Sequence, residues 1–198
     1  THVFPDADVP VVQLSLDATR PPRDHYELAA RLVPLRDEGV LILGSGNVVH
    51  NLGMMQWSED APPYDWAQRF STAARDAVLS GAHERLIAYD SLDREAHRSV
   101  PTPEHYLPLL YVLAQQRPGE PVSLPVEGIE YGSIDMLSVA VGLGPAQGGQ
   151  AVPTVSSRSW SAWALRAHPT PLSRFTSGSS RPNGRPNKHA PCVTCGSG

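Results

Sequence analysis

The sequence has few cysteines, no long apolar run and no excess of basic residues, and each shortage excludes a class of protein. The two cysteines among 198 residues, Cys192 and Cys195, are too few for a disulfide scaffold. No apolar run approaches the roughly 20 residues that cross a bilayer, and no signal-peptide pattern occurs near the first residue. The net charge is -4, whereas proteins that bind nucleic acid usually have an excess of basic residues. We therefore expect a cytoplasmic protein without membrane or nucleic-acid partners.

The composition of the chain changes near residue 143. Residues 1–143 have the apolar periodicity of a folded domain, whereas residues 144–198 are rich in Pro, Ser, Gly and Arg and predict a disordered tail. The tail contains a C-x-x-C pair, Cys192 and Cys195, with His189 as the only nearby third ligand, while a zinc site of this kind takes four ligands. A metal-binding or interaction module built on these tail residues is the alternative function.

The apolar pattern of residues 1–143 predicts an α/β fold. Two β-branched runs, residues 9–16 and 40–43, flank a segment with leucines at helical spacing, residues 24–37, so the three predict a β-α-β unit with a parallel strand pair. Further helices are predicted over 64–79 and 106–114, and further strands over 122–126 and 134–141. We expect a central, mostly parallel sheet in an incomplete three-layer core.

The stretch GVLILGSGNVVHN, residues 39–51, ends an apolar run on two glycines, an asparagine and a histidine. This pattern is typical of a buried strand that enters a tight loop, which is where open α/β sheets bind ligands. His50 is either a loop histidine bonded to nearby backbone or a site residue. In the second case, Gly46 lets a substrate or metal approach the backbone, and Asn47 and His50 supply polar groups. The loop lacks the full patterns of a dinucleotide site and of a serine-hydrolase nucleophile elbow.

The stretch PTPEH, residues 101–105, predicts the first turn of the helix that follows it. His105 is either a capping-turn histidine or a metal ligand, because the positive end of the helix dipole disfavours imidazolium and keeps a neutral nitrogen free. Two neutral histidines in one cleft supply two of the three protein ligands of a divalent metal site, either of the two-histidine, one-carboxylate kind or of the three-histidine kind. Glu104 and Glu127 are the carboxylates available, and the sequence alone places neither.

Four stretches, taken in order, resemble the C-terminal half of the bacterial DOPA 4,5-dioxygenase (extradiol) family: FPDADVPVVQLSLD, GVLILGSGNVVHNL, PTPEHYLPLLYVLA and VEGIEYGSIDMLSVAVG. These proteins are class III ring-cleaving extradiol dioxygenases, related to the catalytic subunit of protocatechuate 4,5-dioxygenase. The resemblance covers residues 3–142 and does not extend into the tail. It implies an α/β core with a metal in a cleft at the strand ends.

The resemblance also implies a reaction, the cleavage of a catechol ring by O₂ at a non-haem metal, with Fe(II) for activity or Zn(II) as bound. It implies that His50 and His105 are both catalytic and face the metal, His50 as a ligand or as an acid and base. Family members carry an earlier half with two further metal histidines, in G-H-G-S-P-like and S-A-H-W-like motifs, and neither motif occurs in this sequence. We therefore expect the chain alone to bind metal poorly and to turn over slowly or not at all.

Overall fold

The computed structural model describes residues 6, 8–58 and 60–143 of the chain. Five α-helices and four short strands occur within these residues. The helices are α1 (Pro22–Ala30), α2 (Asp65–Leu79), α3 (His83–Ile87), α4 (Ala96–Ser99) and α5 (Leu107–Leu113), and the strands are β1 (Val122–Ser123), β2 (Ile129–Glu130), β3 (Ile134–Asp135) and β4 (Ala140–Val141). No helix in this described part is long and apolar enough to cross a bilayer.

The single helix predicted over residues 24–37 is wrong, because the structure divides this segment in two. Helix α1 ends at Ala30, and a 3₁₀ helix follows from Val33 to Glu38. Pro34 lies at the start of the second piece, where it lacks the N–H that an α-helix interior needs and its ring crowds the preceding turn. Gly39 ends the 3₁₀ helix in the left-handed conformation, with φ of +81°.

Helix α2 confirms the helix predicted over 64–79 and forms the centre of the core. Its buried side chains recur every three to four residues, so one face of the helix is apolar. This face packs in one cluster with residues of α3 and α5 and with the two valines that precede His50. The fully buried members include Phe70, Val78, Leu86, Tyr106 and Leu110. Helix α5 confirms the core of the helix predicted over 106–114.

The four strands form two small antiparallel sheets. Strand β1 pairs with β4, with Val122 opposite Val141, and β2 pairs with β3, with Ile129 opposite Asp135. The strands predicted over 122–126 and 134–141 are therefore present only as two-residue pieces at their ends. The predicted mostly parallel central sheet is not found among the described residues, in which helices and antiparallel strands are mixed.

The two segments predicted as parallel strands, residues 9–16 and 40–43, form no strand in the structure. Residues 9–16 and 41–46 make no backbone–backbone hydrogen bond to any residue that the structure describes. A strand is defined by the ladder that it shares with a neighbour, so an apolar, β-branched run that pairs with no described residue is not a strand. The predicted tail, residues 144–198, lies outside the described residues, as do Cys192, Cys195 and His189.

An ion pair connects the 3₁₀ helix to the chain that follows α5. The Arg36 guanidinium donates to both carboxylate oxygens of Glu120, at 2.8 and 3.0 Å, and the Arg117 backbone N–H donates to the same carboxylate at 2.9 Å. The Arg36 guanidinium and the Arg117 N–H together lower the pKa of Glu120 to about 2.

We expect this carboxylate to make the stability of the fold depend on pH. Since its pKa is lower in the folded chain than the ordinary 4.5, its contribution is present above about pH 4.5 and is lost as the pH falls towards about 2. The difference in free energy of unfolding between the wild type and Glu120→Gln, measured by urea titration, should therefore shrink over this window. A difference that stays constant from pH 6 to pH 2 would contradict the ion pair.

Candidate active site

Two loops meet at the candidate site: the glycine loop, residues 44–50, and the TPEH loop, residues 102–105. The backbone N–H of Asn47 donates to the carbonyl oxygen of His105 at 2.9 Å, which joins the loops directly. The TPEH loop contains a 3₁₀ turn, Pro103–His105, that leads into α5. The two stretches that the sequence analysis singled out are therefore brought together in the structure.

The glycines of the glycine loop are required by this contact between the loops. A Cβ atom built on Gly46 would lie 2.1 Å from the carbonyl oxygen of His105, and one on Gly44 would lie 2.7 Å from that of Pro108. Both distances are shorter than any real contact of a Cβ atom, and both neighbours are backbone, which cannot rotate away. The glycines thus allow two stretches of backbone to approach each other.

The His50 side chain is buried, with 6% of its surface exposed, and it bridges the two loops. Its Nδ1 lies 3.1 Å from the carbonyl oxygen of Asn47, and its Nε2 lies 2.9 Å from that of Thr102. Burial lowers the pKa of His50 from its ordinary value, and the two carbonyls oppose this shift in part. A neutral imidazole donates from one nitrogen only, whereas an imidazolium donates to both carbonyls.

The His105 side chain is exposed and lies beside His50, with their ring centroids 5.0 Å apart. It forms no hydrogen bond to the residues that the structure describes. The two histidines are therefore neighbours with different surroundings: the nitrogens of His50 face backbone carbonyls, whereas His105 lines an open groove.

The groove has a volume of about 370 Å³ and runs from the glycine loop along α5. Its lining includes the apolar side chains of Leu109, Val112 and Val139, the polar side chains of Asn47 and His105, and Gly46. The amide nitrogen of Asn47 donates to the carbonyl oxygen of Asp135 at 2.8 Å, so that this side chain is held in a fixed orientation. A groove with this lining is suited to a largely apolar ligand that also carries polar atoms.

Of the two histidines at the site, only His105 has ring nitrogens without a hydrogen bond to a described residue, and no three His, Cys, Asp or Glu side chains among the described residues lie close enough to hold a metal ion. Glu104 accepts a hydrogen bond from the Thr102 hydroxyl at 2.6 Å, and Glu127 pairs with Arg75 at 2.5 Å. The donor set therefore fits a single metal ligand, His105, and not a complete metal centre.

Sequence reasoning did not identify two residues that hold the glycine loop. The N–H of Asp135 donates to the carbonyl oxygen of Val49 at 2.9 Å, and the N–H of His50 donates to the carbonyl oxygen of Ser99 at 3.0 Å. Both contacts are hydrogen bonds between backbone atoms, which do not depend on the type of side chain. No signal in the sequence would have revealed them.

The family comparison adds to this geometry. Residues 1–141 match a protein family described as "Catalytic LigB subunit of aromatic ring-opening dioxygenase". The chain belongs to this family. The match covers both loops of the site and agrees with the resemblance inferred from the four sequence stretches.

Three similar proteins show how far along the chain the similarity extends. A protein of Escherichia coli K12 named "4,5-DOPA dioxygenase extradiol" is 48% identical over 142 residues, which are 71% of this chain and 52% of that protein. A Beta vulgaris protein of the same name is 37% identical over 108 residues, 54% of this chain and 40% of that protein. The crystal structure of an uncharacterized E. coli K12 protein superposes with a TM-score of 0.64 at 45% identity, covering 69% of this chain and 57% of the other. The chain thus spans about half the length of the curated relatives that it matches.

Proposed function

We propose that the protein acts as an extradiol dioxygenase, which opens a DOPA-like catechol ring with O₂. The observation that supports this best is the pair His50 and His105, whose rings lie 5.0 Å apart, with His105 lining a groove that also has apolar side chains. The match to a family described by aromatic ring opening and the names of two relatives point to the same reaction.

We assign His105 as a metal ligand, because its ring is exposed to the groove and its nitrogens are free of hydrogen bonds within the described residues. A bound Fe(II) supplies the redox chemistry that lets O₂ react with a catechol, and Zn(II) fits the same ligand without that chemistry. No group of three His, Cys, Asp or Glu side chains among the described residues could hold the metal, so the proposal requires further ligands from outside these residues.

We assign His50 as the group that takes up and returns a proton. Burial lowers the pKa of this imidazole, which favours its neutral form. Its Nε2 faces the carbonyl oxygen of Thr102, an exposed residue, so a small movement of the TPEH loop frees this nitrogen for a substrate hydroxyl. After proton uptake both nitrogens can donate to the carbonyls of Asn47 and Thr102, which hold the imidazolium in place. Gly46 and Asn47 then line the substrate groove.

A ring-opening assay tests the proposal. The chain is fused to the part of the E. coli relative that it does not match, loaded with Fe(II) and mixed with L-DOPA. A yellow ring-opened product should form together with O₂ consumption, and His105→Ala should lower the rate at least a hundredfold while leaving the fold intact. The unfused chain should form product slowly or not at all. A fusion that folds, binds iron and forms no product contradicts the proposed reaction.

The cytoplasmic location remains a prediction. The alternative function, a metal-binding or interaction module formed by Cys192, Cys195 and His189, also remains a prediction, because these residues lie outside the described part of the chain.

A further inference from the structure

Strand β3 and the residue before it hold the chain on both sides of His50. The N–H of Asp135 donates to the carbonyl oxygen of Val49 at 2.9 Å. The N–H of Asn51 donates to the carbonyl oxygen of Ser133 at 3.2 Å, and the Ser133 hydroxyl donates to the carbonyl oxygen of Asn51 at 2.8 Å. The residues that precede and follow His50 are therefore both bonded to this segment, so the backbone of His50 is fixed at both ends.

Asp135 contacts the glycine loop at a second point. Its carbonyl oxygen accepts a hydrogen bond from the side-chain amide of Asn47, which lines the groove, at 2.8 Å. The backbone of one buried residue thus orients both the Asn47 side chain and the stretch of chain that carries His50. A displacement of Asp135 moves these two groups together.

The Asp135 side chain fixes its own backbone. It is 1% exposed, and its Oδ1 accepts a hydrogen bond from the N–H of Leu137 at 2.9 Å, which closes a turn where β3 ends. Asp and Asn form such a turn because their side-chain oxygen reaches the backbone N–H two residues on, whereas Ala has no oxygen to form it. Burial raises the pKa of this carboxyl, and hydrogen bonds from the Ser71 side chain and the Leu137 N–H oppose the shift in part. A neutral amide of the same shape is therefore suited to this position.

We propose that Asp135 is a positioning residue for the glycine loop: its side chain fixes the end of β3, and its backbone thereby holds His50 and Asn47 in place. The effect of Asp135 on the loop rests on the hydrogen bonds alone, whereas its effect on rate rests on the proposed function. A displacement of about 1 Å in a group that takes part in a reaction can lower the rate a hundredfold. Asp135 would act on the reaction through His50 and Asn47.

Three variants separate a positioning role from a contribution to stability alone. Asp135→Ala removes the turn, and Asp135→Asn keeps an acceptor oxygen for the Leu137 N–H. Val78→Ala is the matched control for a loss of buried side chain, because Val78 is fully buried on α2 but lies about two turns, or about 10 Å, beyond Ser71 along the helix. Asp135→Ser, whose hydroxyl makes the same turn more weakly, replaces Asp135→Ala if that variant does not fold.

Amide exchange in the full 198-residue chain tests the position of the loop without metal or substrate. Exchange of the Asn51 amide, which donates to Ser133, should be at least tenfold faster in Asp135→Ala than in Val78→Ala, at a temperature where both variants are folded. In Asp135→Asn it should stay within threefold of the wild type. Equal exchange in Asp135→Ala and Val78→Ala overturns the proposal.

The ring-opening rate of the fused enzyme tests the consequence for the reaction. Asp135→Ala should lower kcat at least tenfold, Asp135→Asn should restore it to within threefold of the wild type, and Val78→Ala should leave it unchanged while the protein is folded. Equal losses of kcat in Asp135→Ala and Val78→Ala would show a structural role only. A wild-type fusion that opens no ring counts against the proposed reaction, and the exchange of the Asn51 amide then decides whether Asp135 holds the loop.

Discussion

Gly46→Ala is expected to lower the free energy of unfolding by about 2–3 kcal/mol. The added Cβ would lie 2.1 Å from the carbonyl oxygen of His105, so the glycine loop and the TPEH loop must separate. Their separation also breaks the 2.9 Å hydrogen bond from the Asn47 N–H to the same carbonyl. Urea unfolding followed by far-UV circular dichroism measures the loss, and the same variant in the fused enzyme should lose most of its activity.

Gly53→Ala is the matched control for this substitution. Gly53 lies three residues beyond His50, and a Cβ there would meet only the Asn51 side chain, at an ordinary 3.5 Å. Its stability should stay within about 0.5 kcal/mol of the wild type. If Gly46→Ala is as mild as Gly53→Ala, the close approach of the two loops is refuted.

His50→Ala and His105→Ala should separate the two roles assigned to the histidines. His50 is buried and contacts two carbonyl oxygens, so its removal leaves a cavity and unpaired acceptors and should cost about 2 kcal/mol of stability. His105 is exposed and forms no hydrogen bond within the described residues, so His105→Ala should change stability by less than about 0.5 kcal/mol.

The metal and activity readouts complete the comparison. In the fused enzyme, His105→Ala should lose iron, measured by metal analysis after desalting, whereas His50→Ala should keep it. Both variants should lose at least a hundredfold in ring-opening rate. Iron lost in His50→Ala, in a protein that remains folded at the assay temperature, would show that His50 is a ligand and not the proton carrier.

Prediction from sequence worked where a local pattern determines the local structure. The spacing of Trp66, Phe70 and Val78 predicts α2, because one apolar face is enough to define an amphipathic helix. It failed for residues 24–37, where leucine spacing suggested one helix and Pro34 divides it. It also failed for residues 9–16 and 40–43, since a strand depends on a neighbour that is remote in sequence and is not among the described residues.

The sequence by itself determined the family and the two loops of the site, because both follow from residue types at fixed spacing along the chain. Only the tertiary structure determined which contacts those residues make with each other. It placed the glycines against the His105 turn and brought the Nε2 of His50 to the Thr102 carbonyl, 52 residues away along the chain. These contacts depend on how α5 packs against the glycine loop, and backbone atoms that carry no residue identity make most of them.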